Sequence, residues 1–108
     1  MNYDFFLEEL KKIPCIELRS EDPEFFELVV KLSEIYKVNS VLETFFGKPL
    51  KPCGEKPTSE SKKKAEAYGG VRDDQTLYYL EAEELYYYSL IWPWANGQSA
   101  TVKVIRAS

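Results

Sequence analysis

Histidine is missing from all 108 residues. Its absence removes imidazole general bases, His-dependent triads and most zinc sites. The only cysteines, Cys15 and Cys53, stand 38 positions apart, too few for a secreted disulfide scaffold and too far apart for a C-x-x-C redox motif. Spacing alone leaves a Cys15–Cys53 disulfide open, because it does not show that the two sulfurs meet. Five glycines supply neither a P-loop nor a dinucleotide fingerprint, and Gly69-Gly70 reads as a helix stop. No run of about 18 apolar residues occurs. The opening Met-Asn-Tyr-Asp-Phe-Phe-Leu-Glu-Glu-Leu carries acids where a signal peptide carries a basic segment. The expectation is a cytoplasmic protein without membrane contact. Three Asn and two Gln beside abundant Glu and Lys match the compositional bias of thermophilic proteins.

What the chain does have is aromatic residues, 15% of the total, within an otherwise ordinary globular composition of 44% apolar and 30% charged residues. The length suits a single domain over 1–108 with one core. Seven of the ten Tyr and Trp residues fall between Thr76 and Trp94. Net charge is −4, unevenly spread: residues 48–64 carry six Lys against Glu55 and Glu60, a basic island in an acidic chain.

Asn2 or Asp4 can cap a first helix with Phe6, Leu10 and Ile13 on one stripe, ended by Pro14. Cys15–Leu18 reads as a short strand. Asp22-Pro23-Glu24 has the form of a helix start, and Phe25, Leu28, Val29, Leu32, Ile35 and Tyr36 follow at spacings of three and four, predicting a helix over 23–36. Asn39 suits its end, and Ser40-Val41-Leu42-Glu43 a new helix reaching Phe46, so two helices are expected to meet at a corner. Three prolines between 49 and 57 predict an extended surface connector. Thr58 or Ser59 then caps a helix over 60–68.

Beyond the glycines the pattern becomes β. Residues 76–82 and 85–92 read as strands around an acidic turn, and Asn96-Gly97 is a hairpin signal leading to a last strand over 99–106. A helix over 74–91 is the competing reading, since Leu-Glu-Ala-Glu-Glu-Leu has good helix propensity. The fold class expected is α+β: a C-terminal three-stranded antiparallel meander, with 15–18 available as a fourth strand, packed against three to four helices from the N-terminal two-thirds.

A turn at Asn96-Gly97 sets Ile91 opposite Val102 and Ser89 opposite Val104; a turn centred on Ala82-Glu83 sets Leu80 opposite Leu85. One face then collects Tyr78, Leu80, Leu85, Tyr87, Ser89 and Ile91, the other Leu77, Tyr79, Tyr86, Tyr88, Leu90 and Trp92. Neither is polar enough for open water. The second face needs a cover, supplied by the chain's own helices or by a partner.

Chemistry-bearing residues are few. Cys53 is the reactive-thiol candidate, because Lys51 and Lys56 beside it favour a thiolate. Asp73-Asp74 and Glu81, Glu83 and Glu84 have no metal-site spacing and read as solvated acids. No metal or cofactor is expected. The leading functional expectation is a noncatalytic interaction module that binds a protein partner or a second copy of itself through Tyr79, Tyr86, Tyr88, Trp92, Trp94 and Lys103. Two alternatives remain. One is single-stranded nucleic-acid binding by the basic patch Lys51, Lys56, Lys62, Lys63 and Lys64 together with the aromatic rings. The other is a small thiol-dependent enzyme using Cys53.

Overall fold

The computed structural model describes residues 1–108. Asn2 caps α1 (Tyr3–Lys11) through its side-chain oxygen, which accepts from Phe5 N–H at 2.8 Å. A hairpin follows, of β1 (Glu17–Asp22) and β2 (Phe25–Lys31), then α2 (Ile35–Phe46) and α3 (Ser59–Ala65), each helix adjoined by a single 3₁₀ turn. The chain ends in β3 (Thr76–Ala82), β4 (Leu85–Pro93) and β5 (Ser99–Ala107). All five strands form one antiparallel sheet in the order β1-β2-β5-β4-β3.

This corrects the expected three-stranded meander with three to four helices: the sheet has five strands and the helices number three, although the α+β class stands. The segment expected as the helix over 23–36 is a strand and the start of α2. Pro23-Glu24 forms the two-residue turn between Asp22 and Phe25, and Asp22 Oδ1 accepts from Glu24 N–H at 2.9 Å. An Asp before a Pro therefore does here what it also does at a helix start: it satisfies a nearby backbone donor. β2 lies between β1 and β5 with Phe26, Leu28 and Val30 buried on one face and Val29 on the other, which blurs the alternation. The predicted fourth strand at 15–18 lies further on, at 17–22. The predicted corner at Asn39-Ser40 is absent, because α2 runs on unbroken.

α1 and α2 cover one face. Phe6, Leu10, Val38, Leu42 and Phe46 pack there against Phe26, Leu28, Val30, Tyr78, Tyr87 and Val102. Rings dominate this layer: Phe6 stacks on Phe45 at 4.4 Å, Phe45 meets Tyr87 edge-on at 5.2 Å, and Phe46 leans on Tyr78 at 5.6 Å. The buried hydroxyls are satisfied, Tyr78 donating to Asn39 Oδ1 and Tyr3 to the Pro23 carbonyl, both at 2.7 Å.

The proline-rich connector carries the chain from this face round the β3 edge to the other. Lys51 pairs with Leu77 there, each backbone N–H donating to the other's carbonyl. The Lys51 side chain is buried, its ammonium donating to the Asp73 and Gln75 carbonyls. α3 then lies across the second face, capped by Thr58 with Ser61 completing a capping box, and Gly69 follows its 3₁₀ extension in the left-handed conformation. Ala65, Val71, Leu77, Leu90 and Ile105 form a small second core beneath it.

Candidate binding surface on the partly covered sheet face

Register decides which side chains reach the second face. β4 and β5 pair with Ile91 opposite Val102 and Ser89 opposite Val104, as Asn96-Gly97 implies, although the loop is the wider Ala95–Gln98. Trp94 N–H donates to Ser99, so even-numbered β4 residues bond toward β5 and the missing N–H of Pro93 falls where β3 has already ended. The β3–β4 turn is Glu83-Glu84, with Leu80 opposite Tyr87 rather than Leu85. This register differs from the expected one by two residues, so every side chain keeps its face.

Tyr79, Tyr88, Leu90, Trp92, Lys103 and Ile105 accordingly share the second face. α3 takes up only part of them. Tyr88 packs on Tyr68 at 4.8 Å and on Tyr79 at 5.2 Å, and the Lys64 ammonium sits 4.3 Å from the Tyr79 ring centre. Burial pushes the Tyr88 phenol above its ordinary pKa, with Tyr68 adding to the effect. The six-membered ring of Trp92 lies directly on Gly69, where an added Cβ would come within 2.7 Å of it. Lys103 reaches over this indole, 3.7 Å from its centre. Tyr79, Tyr86, Tyr88, Trp92 and Lys103 all remain partly accessible. Of the two covers expected, the chain's own helix α3 supplies one and leaves a remainder.

Trp94 follows β4 and remains exposed. Its indole N–H donates to Thr101 Oγ1 at 2.8 Å, and the Arg19 guanidinium stacks 5.6 Å from its ring centre. Beside the 3₁₀ turn that follows α3 lies an open groove of about 480 Å³, walled by Ala67-Tyr68-Gly69 and lined by Phe25, Trp92, Lys103 and Ile105. Phe25 keeps 40% of its surface exposed. Sequence reading missed Phe25, Tyr68 and Ile105 as site residues: the first stood in a supposed helix, and nothing local marks Tyr68 as a wall.

The other anticipated groups do not assemble. Lys51 leaves the basic patch, since its ammonium is buried on two carbonyls; Lys56, Lys62 and Lys63 are exposed around α3. The Cys53 thiol is free and exposed, donating to the Asp74 carbonyl at 3.4 Å, and Cys15 is free as well. With the Lys51 ammonium turned to carbonyls, one of the two cations expected to activate Cys53 is committed elsewhere. No three His, Cys, Asp or Glu side chains converge as a metal site. No helix is long and apolar enough to cross a membrane.

The architecture is that of a five-stranded antiparallel sheet with one face fully clad by two helices and the other partly clad by one. No family model, curated protein or solved structure matches this chain.

Proposed function

We propose that this chain is a noncatalytic binding module of the cytoplasm whose partly covered sheet face receives a protein partner. The groove beside Ala67-Tyr68-Gly69 carries this reading: it is mostly apolar, contains Phe25 and Trp92, and stays open after the chain has folded over the rest of the face. Aromatic anchors in a concave, partly dry setting are the usual centre of a protein interface. A groove of this volume also falls in the range that accommodates a ligand or a few partner side chains.

The test is a selection from a random peptide library on the whole chain, with the variant Phe25→Glu as the counter-target. Phe25 is exposed enough for the charge to be tolerated, and a thermal melt checks that the variant folds. Peptides should be recovered that bind the native chain at least about tenfold more tightly than the variant, the scale of one interfacial anchor. Failure to recover any such peptide would defeat the reading.

One observation favours single-stranded nucleic-acid binding as a second reading. Lys64 and the Tyr79–Tyr88–Tyr68 ring series lie together beside α3, near Lys63, the combination of cation and stacking ring that unpaired bases use. Titration with a single-stranded oligonucleotide over a salt series separates the two, because phosphate binding weakens steeply as salt rises.

A further inference from the structure

The groove has one charged lining residue, Lys103. Its cross-strand partner is Glu27, the natural counter-ion for a lysine at that position. Glu27 is instead engaged by Arg19, at 3.4 Å, and Lys103 has no carboxylate within 4 Å. What it has is the face of Trp92. A cation over an indole is attracted by the ring but not neutralised, and it still offers N–H donors to an anion. The Trp92 Nε1–H is buried and has no acceptor within the chain.

Resting on the binding-module reading above, we infer that the groove takes an acidic, apolar segment of a partner protein, in which an aromatic or large aliphatic side chain is flanked by a carboxylate. The apolar side chain fills the space between Phe25, Trp92 and Ile105. The carboxylate meets Lys103 and completes the ion pair that Glu27 does not make. A basic segment would bring like charge against Lys103, and a neutral one would leave the ammonium without a counter-ion as water is excluded. Charge complementarity thus selects among partners that the apolar lining alone would not distinguish.

The peptides recovered in the selection described above decide this. Enriched sequences should carry Asp or Glu within two positions of Phe, Trp, Tyr, Leu or Ile. A synthetic copy with its acids changed to Asn or Gln should bind about tenfold more weakly. Lys103→Gln, which removes the charge and leaves a polar side chain one atom shorter, should weaken the acidic peptide by a similar factor and should not weaken the neutral copy. Salt should reduce only the acidic peptide's binding to native protein. Recovery of Phe25-dependent peptides with no acidic preference, or with affinity indifferent to Lys103→Gln, overturns the inference and leaves the binding-module reading standing. Recovery of no Phe25-dependent peptide overturns both. A single-stranded oligothymidylate that displaces the peptide and itself requires Lys103 also counts against the inference, since the anion would then be a phosphate.

Discussion

At the scale of single residues, Gly69 does the most for the second face. It holds φ +101° and lets the Trp92 ring rest against its Cα. Gly69→Ala adds both left-handed strain and a collision, and should destabilise by about 2–3 kcal/mol. Gly70→Ala, at φ +80° with nothing near its absent Cβ, should cost only about 1 kcal/mol. Urea unfolding of the two variants checks the difference, and equal costs would mean that the Trp92 contact is not tight. The buried phenols make a second prediction. Burial lifts Tyr3 from 10.0 to about 12 and Tyr78 further still. The folded chain therefore holds these protons more tightly than the unfolded one. Their contribution to stability is full below pH 10, where both states are protonated, and is lost as pH rises from 10 through 12. Unfolding free energies measured across that window should fall, and the fall should be shallower in Tyr3→Phe. A flat profile would contradict the burial of these hydroxyls.

At the scale of elements, the β3–β4 turn is held against local preference. Glu83 and Glu84 both have positive φ, 53° and 68°, in a two-residue connection that normally selects Asn-Gly. The double change Glu83→Asn, Glu84→Gly should stabilise by about 1 kcal/mol or more, raising the thermal midpoint by roughly 4–8 °C for a domain of this size. No rise would mean that the turn is not type I′. The same turn shows why the C-terminal third was readable. Placing the turn one residue early changed the pairing by two positions and left both faces as assigned, because side chains alternate with a period of two. The N-terminal half offered no such protection. Phe26–Val30 has buried apolar side chains on both sides, Val29 on one and Phe26, Leu28 and Val30 on the other, so its pattern fits a strand and a helix equally, and Asp22-Pro23 serves turns as well as helix starts. The β-branched Val29-Val30 and the paired Phe25-Phe26 were the evidence for a strand, outweighed by a misleading three-and-four spacing. Asn39 misled differently: it sits inside α2 because its side chain accepts from Tyr78, 39 positions away, a partner that no local pattern shows.

At the scale of the whole molecule, the aromatic surplus divides by face. Tyr78 and Tyr87 join the Phe-rich layer under α1 and α2, whereas Tyr79, Tyr88 and Trp92 meet α3, the turn that follows it and the solvent-facing groove. The unbalanced cover follows from size: twelve residues of α2 and nine of α1 on one side, seven of α3 on the other. That the second face would be too apolar to stand bare was legible from alternation alone. Which part of it stays open was not, because that depends on where the connector turns. Lys51 was read as a surface charge among prolines, and its burial on the Asp73 and Gln75 carbonyls could be foreseen only with β3 already in place.

The passage of the chain round the sheet edge at Lys51 and Leu77 also orders how the molecule can come apart. Seventeen buried residues hold one side and five the other, with the edge clasp between them. Thermal fluctuation should therefore lift the thinner cladding first, while the thicker side stays shut. Each such opening would widen the groove from one wall, so its average width is set by how often that wall swings back as much as by its resting position.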